Sequence, residues 1–370
     1  MKILFINLPY MGHVIPTIGL VQELVRAGHQ VTYLLPSGWE ERLQNSGADF
    51  LGYENSPKLD IQIRNAFRKA EEVIEDHDLV LYEQFFFLGK HLAEKYRKKC
   101  ARIFTAPATN QAIMADFLSH GGPMGIFRLP LISRLWTADA VKGLGITLQC
   151  RNWLDEIVDN PPACNLVYTL RDFQPMAADF PEDRFHFIGP SVYDRGERFP
   201  AFPRRVIYIS LGTIVKGADR FYRACIEAFR DENVTVVLTV SKQYKLSRLG
   251  GIPENFIVRK YVPQTAVLEQ ADLFITHGGM NSVSEAMAAG VPMVVIPFVS
   301  DQPLNGKQVK KLGLGRVLTP KAVTAETLRE RALSVMDDEN ICHRVSQMKQ
   351  TVANAPGNRG AVKILEDYMR

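Results

Sequence analysis

The chain is expected to fold as an α/β protein of two Rossmann-like domains facing a cleft. Three observations point there. Apolar, strand-like runs alternate with helical patterns from end to end, the mark of parallel sheets covered by helices. The series breaks once, at "GPSVYDRGERFPAFPRR" (189–205), where prolines and arginines replace any hydrophobic period, and then starts again. A chain of 370 residues, 46% of them hydrophobic, can fill two cores.

Each element follows from its local pattern. In the first half the strand-like runs are "KILFINL" (2–8), "QVTYLL" (30–35), "ADFLGY" (48–53), "DLVLY" (78–82), "ARIFT" (101–105), "NLVYTL" (165–170) and "FHFIG" (185–189), with helical patterns between them. The stretch 111–160 is less regular. It holds Phe117, Phe127, Leu129, Leu131, Leu135, Trp136 and Trp153 among glycine and proline, either as core filling or as an apolar wall for a hydrophobic ligand. Residues 191–204 read as a linker. Beyond them the strand-like runs are "RVIYISLG" (205–212), "VTVVLTV" (234–240), "FIVRKYV" (256–262), "DLFITH" (272–277), "PMVVIPF" (292–298) and "GRVLT" (315–319). Helices are expected at about 218–230, 281–289, 303–312 and 324–354, and "GNRGAVKILEDYMR" regains a helical period at the C-terminus. The domains are therefore drawn at 1–190 and 205–354, with 355–370 as a closing helix.

Composition narrows the function classes. The formal net charge is +4, and the one dense basic cluster, "KYRKKCAR" (95–102), has no aromatic interleaving of the kind nucleic acid binding needs. A solvated helix face or a weak peripheral membrane contact accounts for it. Five scattered cysteines without a C-x-x-C pair indicate free thiols in a reducing compartment, with no zinc site. "MKILFINLPY" has too short an apolar run for a secretory signal, and no run approaches a membrane span. A cytoplasmic protein is expected.

The densest chemistry lies in "DLFITHGGMNSVSEAMAAGVP" (272–292). An apolar strand ends at His277, two glycines allow a close turn, and a helix opens near Asn281 with free N–H groups and the positive end of its dipole, a cradle for phosphate. Ser282 and Glu285 also have the spacing of a capping box. Farther on, "VPMVVIPFVSDQPLNG" (291–306) ends another strand and brings Asp301 and Gln302 to the same sheet edge; an ordinary turn pair is the plainer reading.

The whole of "YVPQTAVLEQADLFITHGGMNSVSEAMAAGVPMVVIPFVSDQPLNGKQ" (261–308) resembles the donor-binding signature of the inverting nucleotide-sugar glycosyltransferases. "LGLGRVLTPKAVTAETLRE" (312–330) is most similar to the bacterial macrolide branch, and "INLPYMGHVIPTIGLVQELVRAGHQVTY" resembles that family's N-terminus. The resemblance implies a GT-B fold with an N-terminal acceptor domain, a C-terminal donor domain and a final helix that crosses back. It implies a UDP-sugar co-substrate, most often UDP-glucose, an apolar small-molecule acceptor, and no metal or other cofactor. It places Tyr261, where the family usually has tryptophan, against the base, and Gln264 near base and ribose. Glu285 is assigned the ribose hydroxyls, and Asp301 and Gln302 those of the hexose. His277 and Ser282, helped by Gly279, Asn281 and the "SLGT" turn at Gly212 and Thr213, would hold the diphosphate, with Gly12, Val262 and Met280 completing the donor lining. No D-x-D pair ends a strand to offer a metal site, and "MDDEN" (336–340) is expected in a helical surface segment.

His13 stands at the first strand-to-helix turn, where a helix N-terminus disfavours its protonation and suits it to act as a base. A histidine merely filling a turn is the bland alternative. In the family the matching histidine deprotonates the acceptor hydroxyl and an aspartate after the fourth strand orients it. Here "DLVLYEQ" supplies Glu83 instead, one methylene longer. Glu83 can equally be read as an acidic residue at a helix start. Two function classes are thus expected: an inverting hexosyltransferase, with a membrane-surface lipid glycosyltransferase as its variant, or a non-catalytic nucleotide-sugar-binding protein.

Overall fold

The computed structural model describes residues 1–192, 196–212 and 218–370. It divides into two compact units, Met1–Tyr193 with Ala355–Arg370, and Asp194–Asn354.

The first unit is a seven-stranded parallel sheet, β1 (Lys2–Ile6), β2 (Gln30–Pro36), β3 (Asp49–Tyr53), β4 (Leu79–Glu83), β5 (Lys99–Phe104), β6 (Cys164–Val167) and β7 (Phe185–Phe187), in the order β3-β2-β1-β4-β5-β6-β7. Its helices are α1 (Met11–Arg26), α2 (Glu40–Leu43), α3 (Leu59–Glu71), α4 (Gly89–Lys95), α5 (Gln111–Ser119), α6 (Pro130–Val141) and α7 (Trp153–Asp159). The strands are apolar without alternation because helices cover both faces. Ile3, Phe5 and Leu81 pack under α1 on one face, and Leu4, Ile6 and Val80 pack under α3 and α7 on the other. The chain order reverses between β1 and β4, so the loops after these two strands open side by side at the switch point of the sheet.

The second unit repeats the plan. Its strands are β8 (Val206–Ser210), β9 (Thr235–Thr239), β10 (Phe256–Arg259), β11 (Leu273–Thr276), β12 (Met293–Val295) and β13 (Gly315–Val317), all parallel in the order β10-β9-β8-β11-β12-β13. Around them lie α8 (Asp219–Phe229), α9 (Gln264–Leu268), α10 (Met280–Ala289), α11 (Gln302–Lys311), α12 (Ala325–Met336) and α13 (Glu339–Ala353). Here the reversal falls between β8 and β11. The last helix, α14 (Gly357–Met369), belongs to the first unit, where Ala361, Val362 and Leu365 join the core face that holds Ile18 and Leu24 of α1.

One expectation is corrected, and two open readings are made specific. The helix drawn over 324–354 is two, α12 and α13, and "MDDEN" is the break between them: the Asp338 carboxylate accepts from the Asn340 and Ile341 N–H groups and caps α13. The irregular stretch 111–160 holds three α-helices and a 3₁₀ helix, and its apolar residues divide. Phe127, Trp136 and Trp153 form one aromatic cluster with Phe87 inside the unit, whereas Leu129, Leu131 and Leu135 are exposed at 50%, 69% and 61%. The basic cluster is largely engaged at home. Lys95 pairs with Glu71 at 2.6 Å, Lys98 donates to the Glu75 carbonyl, Lys99 donates to the Tyr368 and Met369 carbonyls at the end of α14, and Arg102 is fully buried. All five cysteines are free. Among the described residues no helix is long and apolar enough to cross a membrane.

Candidate functional site

At the switch point of the first unit, α1 begins at Met11, which puts Gly12 and His13 in its first turn beside the end of β4. Asn7, a buried polar residue just past β1, donates to the His13 carbonyl at 3.1 Å and to the Tyr33 hydroxyl at 3.0 Å, and so fixes where that turn starts. The His13 Nδ1 lies 2.8 Å from Oε1 of Glu83. Glu83 is fully buried and His13 is partly exposed. The aromatic rings of Tyr10 and Phe85 stand at 5.7 and 5.0 Å from the imidazole and confine it edge-on.

A carboxylate only accepts, so this contact places the proton on Nδ1 and leaves the lone pair on Nε2. Glu83 is the last residue of β4 and the next helix starts at Gly89, which removes its reading as a helix-start acid. Its second oxygen accepts from the Phe85 N–H at 3.0 Å, so the same carboxylate also holds the turn that follows. The extra methylene relative to aspartate is absorbed without losing the contact. Thr105, which follows β5, closes the group: its Oγ1 is 2.9 Å from His13 Nδ1 and 3.2 Å from Glu83 Oε1. Sequence reasoning did not single out Asn7 or Thr105. The available signal was a polar residue at the end of an otherwise apolar strand, in "FINL" and in "RIFT".

In the second unit, β11 ends at Thr276 and delivers His277, Gly278 and Gly279 to the N-terminus of α10. Gly278 takes φ +85°, a conformation that glycine alone adopts at little cost, and its N–H is bonded to Thr276 Oγ1 at 3.2 Å. His277 lies against Gly212, on the loop after β8. Burial lowers the His277 pKa to about 4, against the opposing pull of a hydrogen bond to the Ser210 backbone, so its imidazole is neutral at pH 7. Thr213 lies outside the described residues.

The first turn of α10 carries Met280, Asn281 and Ser282, and its N-cap is Gly279, which has no side chain to cap it. The capping-box reading of Ser282 and Glu285 is therefore corrected: Gln264, at the start of α9, reaches both. Its amide nitrogen donates to Ser282 Oγ at 3.3 Å and to the Glu285 carboxylate, while its oxygen accepts from the Tyr208 hydroxyl at 3.0 Å. Val262 is buried, and Tyr261 is half-exposed, its hydroxyl donating to Glu197 at 2.5 Å. Asp301 and Gln302 open α11. Gln302 is buried and its oxygen accepts from the Phe298 and Val299 N–H groups at 2.8 and 3.2 Å, holding its own loop, where Ser300 takes φ +61°. Buried Asn305 donates to Asp301 Oδ2 at 2.8 Å and to the Gly278 carbonyl at 2.9 Å, tying the Asp301 loop to the turn before α10. Among the described residues no group of three or more His, Cys, Asp or Glu side chains converges as a metal-holding set.

Chemically, the first unit presents a buried carboxylate and an oriented imidazole whose Nε2 carries the lone pair, the parts of a general base. The second presents a helix N-terminus, a neutral imidazole and a carboxylate–amide pair, the parts of a site for an anion beside a diol.

Residues 224–368 match the family model of the erythromycin biosynthesis protein CIII-like C-terminal domain. The chain is 34% identical to the NDP-glycosyltransferase YjiC of Bacillus subtilis (strain 168), across 99% of this chain and 96% of that protein. It is 31% identical to a second protein of that organism, named uncharacterized UDP-glucosyltransferase YojK, across 99% of this chain and 97% of the other. Among solved structures, the glycotransferase of kitacinnamycin aligns with a TM-score of 0.85 at 29% identity, covering 99% of this chain and 98% of that one.

Proposed function

Because this chain belongs to the NDP-glycosyltransferases of the macrolide type and shares their GT-B fold, we propose that it moves a hexose, glucose from UDP-glucose in the leading reading, onto a hydroxyl of an apolar small molecule with inversion. The observation that carries the mechanism is the 2.8 Å contact between His13 Nδ1 and Glu83. Nε2 takes the acceptor's hydroxyl proton. The acceptor oxygen then forms its bond to the anomeric carbon from the face opposite the diphosphate, and the bond to the diphosphate oxygen breaks with its electron pair leaving on UDP. Glu83 stabilises the imidazolium that results.

On the donor side, Glu285 accepts from the ribose diol and Gln264 positions it. The α10 N-terminus with Gly279, Asn281, Ser282 and neutral His277 receives the diphosphate, and no metal is assigned to the step. Tyr261 offers its half-exposed ring to the base. Asp301 is assigned a sugar hydroxyl, with Gln302 keeping its loop in place. Preference for UDP and glucose is supported by the name of YojK, and the exposed leucines of 129–135 support an apolar acceptor.

The test is a transfer screen of UDP- and thymidine-linked sugars against alcohol and phenol acceptors, with products detected by mass. Transfer is expected with UDP-glucose and unaffected by EDTA. His13→Ala should lower kcat for an alcohol acceptor by about 10²–10⁴ without changing UDP affinity. No product from any pair, or activity abolished by EDTA and restored by Mg²⁺, refutes the reading in its enzymatic or its metal-free part respectively.

A further inference from the structure

We propose that Thr105 is a positioning residue for this base, whose hydroxyl holds Glu83 as a carboxylate and thereby sets the lowest pH at which His13 can accept a proton; this rests on the reading of His13 given above. Glu83 is fully buried, and a buried carboxylate is stable only if donors meet its oxygens. Its donors are the Nδ1–H of His13 at 2.8 Å, the Phe85 N–H at 3.0 Å and the Thr105 hydroxyl at 3.2 Å. The placement follows from register. Glu83 pairs with Ile103 across β4 and β5, and Thr105, two residues on, points to the same side of the sheet.

One proton assignment satisfies all three atoms. If Thr105 donated to Nδ1 across their 2.9 Å contact, an unprotonated nitrogen would face the carboxylate at 2.8 Å, lone pair against lone pair. With Nδ1 protonated instead, the hydroxyl hydrogen goes to Glu83 Oε1 and Nε2 carries the lone pair. The carboxylate selects the tautomer, and the Thr105 hydroxyl is left to donate to that carboxylate.

Among the described residues, the other ionisable groups that feel the charge of this carboxylate are Tyr10 before α1, Tyr33 on β2 and, from the opposite face of the sheet, Arg102 on β5. Burial raises both tyrosines above their ordinary value, and Arg102, lowered to about 10, keeps its charge below that pH. The competent state needs Glu83 ionised and His13 neutral. Loss of the hydroxyl removes a donor that favours the carboxylate, which raises the proton affinity of Glu83. It also removes a competitor for that carboxylate, which tightens its hold on the imidazolium and raises the proton affinity of His13. Both changes move the acid limb of the rate profile in the same direction, to higher pH.

The experiment is the pH dependence of kcat/KM, from pH 5 to 9, with UDP-glucose and an alcohol acceptor. Thr105→Val should lose roughly three- to tenfold at pH 6 and less than about twofold at pH 8, with donor KM unchanged, whereas Thr105→Ser should follow the wild type. If the valine variant does not fold, Thr105→Ala reads the same limb. A variant whose profile runs parallel to the wild type at every pH overturns the proposal. If His13→Ala is severe while the limb of the Thr105 variant stays put, only the role of Thr105 fails. If His13→Ala is silent, the base reading itself fails.

Discussion

A methyl group on Gly212 would lie 2.6 Å from Cε1 of His277, and one on Gly279 would lie 2.5 Å from its Nε2, so the imidazole is wedged between two glycines. Gly212 has φ +65°, where any side chain is also strained, but Gly279 has an ordinary φ of −63°. Gly279→Ala thus displaces His277 by contact alone. It should weaken UDP by roughly tenfold, on the order of 1–2 kcal/mol, with the backbone otherwise intact. Unchanged UDP affinity in calorimetry would separate His277 from the diphosphate.

Acid should destabilise the second unit through His277. Its folded pKa of about 4 lies below the ordinary 6.5. Between these values the unfolded chain binds a proton that the folded chain refuses. The stability is therefore complete above pH 6.5 and is lost as pH falls toward 4, by up to about 3 kcal/mol. Urea midpoints at several pH values should fall more steeply for the wild type than for His277→Gln. Equal slopes would mean that the imidazole already titrates normally in the folded state.

Glu83→Gln removes the buried charge proposed to stabilise an imidazolium and puts an amide N–H₂ where the His13 Nδ1–H, the Phe85 N–H and the Thr105 hydroxyl now donate. A partial loss of kcat is expected, about 10- to 100-fold, with donor KM unchanged. Glu83→Asp keeps the charge but draws the oxygens back by about one methylene, so its loss should be smaller. Full activity in the glutamine variant, set beside an inactive His13→Ala, would assign the orientation of His13 to another group.

The donor half should divide by function. Glu285→Ala leaves the Gln264 amide without its acceptor and, on the proposed assignment, the ribose diol as well, and should cost UDP about 1–3 kcal/mol. Asp301→Ala should leave UDP binding nearly intact and raise the KM or lower the turnover of the sugar nucleotide. Gln302→Ala carries an added cost in stability, because the Phe298 and Val299 N–H groups lose their acceptor. Equal responses of UDP affinity to Glu285 and Asp301 would merge the two parts of the site.

Much of this protein was legible before any coordinates. Parallel strands covered on both faces need unbroken apolar runs, so "KILFINL", "DLVLY" and "DLFITH" announce themselves, and glycine-rich turns between strand and helix mark where a backbone must pass close to a ligand. The break between α12 and α13 was missed because Asp337 and Asp338 interrupt a helical period without a glycine or proline. The spacing of Ser282 and Glu285 suggested a local cap, and a distant glutamine claimed both.

The sequence by itself determined the repeated α/β plan and the residue types at each strand end, because periodicity and turn chemistry are local properties of a chain. Only the tertiary structure decided which of those ends meet. β1, β4 and β5 lie side by side in the sheet although their residues are far apart in sequence, and that order alone brings His13, Glu83 and Thr105 within hydrogen-bond reach. Whether one extra methylene carries a buried carboxylate to an imidazole or past it depends on the separation and register of those strands, which come from packing across the whole sheet rather than from the residues that neighbour Glu83 in the chain.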